Sequence, residues 1–150
     1  MPPMQDDSRV EITDKLIGGL YTEAMLLADE ARAYFDEFGR EARHAMAPMA
    51  RVAFSCESLK VTTRLMHVVA WLLTQRAILA GRESQAIPLS AAAPSEAEAI
   101  AGLPADAREI IVASADIYAR VQRLEVQLAA GIVSPPNPAL ALRQRLERAF

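Results

Sequence analysis

The feature that most constrains this chain is a helix-forming character that runs through three long stretches. Alanine is the commonest residue, with 29 copies in 150 residues, while aromatic residues make up only 5%. Alanine has the highest intrinsic helix propensity, whereas strands favour aromatic and β-branched residues. The sequence therefore predicts an all-α fold, and its length predicts one main domain.

Glycine and proline divide the helical stretches. Three glycines follow long helix-favouring runs, where a left-handed residue is expected just after a helix end: Gly39, Gly81 and Gly131. The apolar spacing predicts helices over about 13–38, from 43 or 48 to 80, and over 104–130. Thr13 is the expected N-cap of the first. Apolar positions on its predicted inner face are Leu16, Leu20, Ala24, Leu27, Ala31, Tyr34 and Phe38.

Three long helices predict an antiparallel three-helix bundle over residues 1–131. A surface loop over 82–102 would join its second and third helices, with one short helical turn in it. Residues 132–150 are expected to form a proline-rich linker and a tail, which is either a short helix or disordered.

The second helix carries two apolar stripes. One contains Phe54, Val61, Leu65, Val68, Leu72 and Leu79; the other, about 150° away around the helix, contains Val52, Cys56, Leu59, Met66, Ala70, Leu73 and Ala77. A helix that is apolar on two sides is expected to be sandwiched between neighbours. Two neighbouring helices need less apolar surface than this, so the surplus predicts a homodimer.

A third stripe on the same helix is polar and contains the only tryptophan: Glu57, Lys60, Arg64, His67, Trp71 and Gln75. Because tryptophan and arginine are enriched at the energetic centres of interfaces, this stripe is a candidate interaction surface. The alternative is that Trp71 is an amphipathic residue at the margin of the bundle.

The C-terminal tail supplies a second candidate interaction surface. Leu142, Leu146 and Phe150 share one side of a possible short helix, opposite three arginines. Such a helix could dock into a partner groove. The alternatives are packing back onto its own bundle, or disorder.

The distribution of charge bears on nucleic-acid binding. The net charge is −3, but residues 1–39 carry −6, residues 40–82 carry +5 and residues 83–131 carry −4. Pairing of the basic helix with its acidic neighbours is the expected explanation. A small dimeric DNA-binding regulator is the alternative, although no basic and aromatic platform accompanies the charge.

Polar residues also argue against a membrane span. The most apolar stretch, 61–79, contains Arg64, His67, Gln75 and Arg76. The acidic N-terminus does not resemble a signal peptide, and the only cysteine is Cys56. We therefore expect a cytoplasmic protein.

No pattern in the sequence predicts catalysis, a metal or a cofactor. Cys56 and His67 are 11 residues apart, about 16 Å along a helix, which is too far for a thiol–imidazole pair. Cys56 is instead expected to be a small buried residue. Glu41 and His44 form one Glu-x-x-His motif without the second copy that a di-iron bundle needs. An enzyme would require polar groups from different helices to converge on Cys56 or His44.

The second helix carries a family resemblance. ESLKVTTRLM at 57–66, followed by VAWLL at 69–73 and QRA at 75–77, resembles the signature of the RcdA-like family, the regulators of CtrA degradation of alphaproteobacteria. EAM at 23–25, AYFD at 33–36 and Leu103-Pro104 are similar to other parts of that family. The resemblance covers about residues 15–130.

The resemblance implies a dimeric three-helix bundle without enzymatic activity. It also implies an adaptor role in cell-cycle proteolysis, in which the protein helps to bring substrates to ClpX or ClpXP. A helical domain with some other interaction function is a further alternative.

Overall fold

The described part of the chain is helical and contains no strand; in this computed structural model it comprises residues 3–83, 85–131 and 138–149. Helix α1 spans Pro3–Ala33, a π-helical turn spans Tyr34–Phe38 and α2 spans Gly39–His44. Helix α3 spans Pro48–Leu79, α4 spans Ala97–Ala101, α5 spans Ala105–Ala129 and α6 spans Pro138–Ala149. The all-α prediction is confirmed.

The three long helices, α1, α3 and α5, contact one another around a shared apolar core. Its most deeply buried side chains come from all three: Ile17, Phe54, Val61, Val68, Leu72, Ile111, Ile117 and Val121. Residues of α3 are the most numerous in this set, because α1 and α5 each contact α3 more extensively than they contact one another. Of the two apolar stripes of α3, the first therefore faces the core.

Local sequence explains the limits of α3 and the end of α5. Pro48 occupies the first turn of α3, where its missing N–H leaves no hydrogen bond unmade. After Leu79, Gly81 adopts φ +73°, and Arg82 N–H donates to the Ala77 carbonyl at 2.9 Å. This is a Schellman ending. Gly131, with φ +68°, follows α5 in the same way, so both glycines act as predicted.

Gly39 does not end the first helix, which corrects the sequence prediction. Its φ is −69°, and the chain continues from the π-helical turn into α2. A Cβ at this position would lie 2.9 Å from Cζ of Phe54 and 3.0 Å from the Tyr34 carbonyl oxygen. Glycine is required there because α2 and α3 approach closely, and not because the backbone is left-handed.

The π-helical turn also changes which side chains face inwards. Phe35 is buried and packs edge-to-face on Phe54, with ring centroids 5.3 Å apart, whereas Phe38 is 70% exposed. A π turn adds a residue to the helix turn and rotates the residues after it around the helix axis. At the other end, Thr13 is buried inside α1 instead of capping it, and Ile17 replaces Leu16 in the core.

An extended segment, residues 85–96, connects α3 to α4 and runs beside α3 and α5; we call it the strap. The loop predicted over 82–102 is thus present, with α4 as its helical turn. None of the helices in the described residues has both the length and the apolar character that a membrane crossing requires.

Candidate functional site

The polar stripe predicted on α3 lies beneath the strap. Glu57, Arg64 and Trp71 are buried, while Lys60, His67 and Gln75 are half-buried. Glu57, Lys60 and Arg64 are hydrogen-bonded to the strap, and His67 and Trp71 line a cavity beneath it, so the strap covers this part of the candidate surface within the same chain. We call the space between α3 and α5 that the strap occupies the strap groove.

Arg64 anchors the strap to both helices. Its guanidinium donates to the Ala93 carbonyl oxygen at 3.0 Å, to Ser95 Oγ, and to Ser114 Oγ on α5 at 3.2 Å. Only 2% of the residue is exposed. Burial lowers the pKa of the Arg64 guanidinium, while the charge of Glu57 acts in the opposite direction. An arginine stays charged under such conditions, so this cation depends on its partners inside the fold.

Glu57 completes the network on the α3 side. Its carboxylate accepts hydrogen bonds from Ser95 Oγ and from Lys60 Nζ, the latter at 3.0 Å. Lys60 Nζ also donates to the Pro94 carbonyl oxygen at 3.1 Å. Ser95 therefore lies between the two buried charges of α3, Glu57 and Arg64.

Helix α5 holds the other part of the strap. The Tyr118 hydroxyl donates to the Ser90 carbonyl oxygen at 2.7 Å, and the Leu89 amide donates to the Glu125 carboxylate at 2.6 Å. These two residues of α5 bind the strap by its backbone, as Arg64 and Lys60 do from α3.

A small cavity of about 130 Å³ lies under the beginning of the strap. His67, Trp71 and Thr74 of α3 line it, together with Ile87 and Pro88 of the strap. His67 Nδ1 is buried and has no hydrogen-bond partner among the described residues. The strap therefore does not fill the groove completely.

The second apolar stripe of α3 is exposed, which corrects the expectation that neighbours within the chain cover it. Exposed residues between Arg51 and Arg76 on this helix carry no charge; they are Val52, Ser55, Cys56, Leu59, Thr62, Thr63, Met66, Ala70 and Leu73. We call this set the uncharged face. Cys56 belongs to it, so the prediction that this cysteine is buried is wrong.

The large apolar residues of the uncharged face recur every seven positions: Val52, Leu59, Met66 and Leu73. This is the spacing of one seam position in a coiled coil. Cys56, Thr63 and Ala70, each four residues further on, are small. The signal was present in the sequence, because all these residues except Thr63 belong to the predicted stripe, but periodicity alone did not reveal its exposure.

The tail residues are placed only in part. Leu142 and Leu146 of α6 are exposed, and Arg143 forms an ion pair with Glu147 at 3.3 Å. Phe150 lies outside the described residues. The prediction that these three side chains dock into a partner therefore stays a prediction.

The cations of α3 are not paired with acids of the other two helices in the way the charge pattern predicts. Arg51 donates to the carbonyl oxygens of His44 and Met46, and the Arg76 guanidinium lies over the Tyr21 ring at 5.4 Å. An ion pair between two long helices joins Arg120 and Glu23, with the shorter contact 2.6 Å. Because Lys60 and Arg64 also turn inwards, this geometry does not favour the DNA-binding alternative.

The cysteine and histidines do not converge. Cys56 is on the exposed side of α3, whereas His67 faces the strap. Within the described residues, no group of three or more His, Cys, Asp or Glu side chains could hold a metal ion. The arrangement that an enzyme would require around Cys56 or His44 is therefore not observed in this part of the chain.

Comparison with solved structures identifies a protein with a similar fold. The crystal structure of RcdA from Caulobacter crescentus CB15 is similar, with a TM-score of 0.62 and 29% sequence identity. The similarity covers 81% of this chain and 96% of the RcdA chain. No curated protein sequence matches.

The family described as "Protein of unknown function (DUF1465)" matches residues 9–150, which is most of the chain. Together with the similarity to RcdA, this match confirms the resemblance seen in the second helix. The chain belongs to the DUF1465 family and is RcdA-like.

Proposed function

We propose that this protein is a non-catalytic adaptor that assists regulated proteolysis by ClpXP through protein–protein contacts. The observation that carries the proposal is the similarity to RcdA over nearly the whole length of that protein. The three long helices would form an antiparallel bundle that serves as a rigid scaffold in the cytoplasm. No cofactor is part of this proposal.

The adaptor hypothesis predicts that substrates of ClpXP persist longer without this protein. Protein synthesis is blocked in wild-type cells and in cells that lack the gene. We expect the half-life of at least one ClpXP substrate to be at least about twofold longer in the cells without the gene, because an adaptor raises the local concentration of substrate at the protease. Quantitative mass spectrometry of the decay measures this.

Restoring the gene should restore the decay, and removing ClpP in the same cells should abolish the difference between the strains. Unchanged lifetimes for every ClpXP substrate would contradict the proposal. So would a difference that persists without ClpP, because it would show that another process is affected.

We also propose that the protein is a homodimer in which the uncharged face of each copy covers that of the other. Interface centres are depleted in charge, and this face has no charged residue between Arg51 and Arg76. Met66 and Leu73 of this face line a shallow apolar hollow of about 350 Å³ together with Ala28 of α1. A side chain from a second helix can enter this hollow, as in knobs-into-holes packing.

The dimer predicts a large effect of one charge on this face. Leu59→Glu should raise the dissociation constant of the dimer at least about a hundredfold, because a carboxylate would be desolvated at the interface without a partner. Sedimentation equilibrium measures this against wild-type protein, which should have twice the 16.3 kDa mass of the chain.

Leu26→Glu is the matched control. Leu26 is 66% exposed and Leu59 is 67% exposed, but Leu26 lies on α1 and is not part of the uncharged face. This variant should dimerise like the wild type. A monomeric wild-type protein, or equal dissociation constants for the two variants, would refute the proposed interface.

A further inference from the structure

The strap is bound mainly through its backbone. Four of its main-chain groups, on Leu89, Ser90, Ala93 and Pro94, are hydrogen-bonded by side chains of α3 and α5. Ser95 is the strap residue whose own side chain is bound, by Arg64 and Glu57. Recognition of this kind depends on an extended backbone and on few side chains, as in the binding of extended peptides.

The partly buried strap residues recur with a period of three. Leu89, Ala92 and Ser95 are half-buried, while the residues between them are exposed. A period of three is that of the polyproline II conformation, which proline-containing peptides adopt and which recognition grooves accept. The strap therefore lies in the groove as a short peptide ligand does.

The residues of the groove are more deeply buried than the residues of the strap. Glu57, Arg64 and Trp71 of the groove are buried, whereas no described residue of the strap is. Together with the unfilled cavity at His67, this means that the apolar burial of the strap comes only from half-buried side chains, among them Leu89, which packs on the core.

We propose that the strap groove is a peptide-binding site that the strap occupies in cis, and that an extended Pro/Ala/Ser segment of a partner protein replaces the strap there. The partner segment would resemble residues 88–95 in having small side chains and a serine after a proline. The assignment of this groove as a site for a partner protein rests on the adaptor proposal. Peptide binding can be measured without any protease, so the groove proposal and the adaptor proposal can each fail alone.

A synthetic peptide of residues 86–97 with a fluorescent label tests the exchange by fluorescence anisotropy on the full-length protein. Ser95→Ala in the protein weakens the strap but leaves every groove residue in place. The peptide should therefore bind this variant about tenfold more tightly than it binds the wild type, because less of the groove is occupied in cis.

Two matched controls separate the groove from other effects. Ser8→Ala makes the same substitution at an exposed serine of α1 and should bind the peptide like the wild type. A peptide that itself carries Ser95→Ala should bind the variant protein about tenfold more weakly than the original peptide, because it loses the contacts with Arg64 and Glu57.

A photoreactive group at the Leu89 position of the peptide tests where the peptide binds on the protein. Cross-links should map to the α3 residues that face the strap or to α5. Cross-links to Leu59 or Met66 would overturn the proposal, because they would place the peptide on the uncharged face.

The proposal would also be overturned if the wild type, Ser95→Ala and Ser8→Ala bound the peptide with equal affinity. The same holds if Ser95→Ala, with an unchanged circular dichroism spectrum, showed no binding at about 1 mM peptide. If Ser95→Ala does not fold, Leu89→Ala weakens the strap at its other end and is expected to give the same increase in affinity.

Discussion

Replacing Arg64 with methionine should lower the free energy of unfolding by about 3 kcal/mol. The change removes the donor for Ser114 Oγ, for the Ala93 carbonyl oxygen and for Ser95 Oγ. It also removes the Arg64 charge from the neighbourhood of the buried Glu57 carboxylate, which keeps its ion pair with Lys60. Breaking one member of a buried charged network costs more than the network contributes as a whole, because the other member stays desolvated. Urea denaturation followed by circular dichroism measures the difference.

Two further variants show whether the cost comes from the network. Arg123→Met makes the same change at an exposed position of α5 and should alter the free energy of unfolding by no more than about 0.5 kcal/mol. Glu57→Leu combined with Arg64→Met should recover part of the loss, because the buried carboxylate that loses the nearby Arg64 charge is then removed as well. Equal losses for Arg64→Met and Arg123→Met would contradict the burial seen in the structure.

Phe54→Ala should lower the free energy of unfolding by about 4 kcal/mol. Phe54 is 1% exposed and its ring contacts those of Phe35 and Tyr34, with centroids 5.3 Å and 6.3 Å away. Gly39 packs against the edge of the same ring. Because α3 and the π-helical turn hold these groups in place, the structure cannot close around the missing ring, and a cavity is left. Urea denaturation measures this effect too.

Phe38→Ala is the control for the register of the π-helical turn. Its ring is 70% exposed, so its removal should change the free energy of unfolding by no more than about 0.5 kcal/mol. The helical periodicity of the sequence instead puts Phe38 on the inner face. A large loss of unfolding free energy for Phe38→Ala, together with a small loss for Phe54→Ala, would contradict the π-helical turn. It would show that Phe38 faces the core, as the helical periodicity predicts, and that Phe54 does not pack against this turn.

The limits of α3 and of α5 could be read from the sequence because their causes are local, whereas the limits of α1 could not. Pro48 fits only the first turn of α3, and Gly81 and Gly131 have the positive φ that ends a helix cheaply. Ile110, Ile117 and Val121 of α5 recur at helical spacing and are buried, since one helix face is defined by spacing alone.

The errors arise where two segments distant in sequence meet. Gly39 looks like a helix end, but Phe54 of α3 determines its role. The polar stripe looks like a free surface, but a segment about 30 residues further along the chain covers it, as the contact of Arg64 with Ala93 shows. Substituting Trp71 would therefore disturb the interior of the chain before it reported on association.

The sequence by itself determined that the chain is helical, where α3 and α5 lie and that α3 has more apolar surface than one core can use. Propensity, capping and periodicity are properties of neighbouring residues, so they can be read without a structure. Only the tertiary structure decided which stripe of α3 meets the core, which one the strap covers and which one stays exposed. Spacing defines the faces of a helix, but what covers each face depends on contacts between distant parts of the chain.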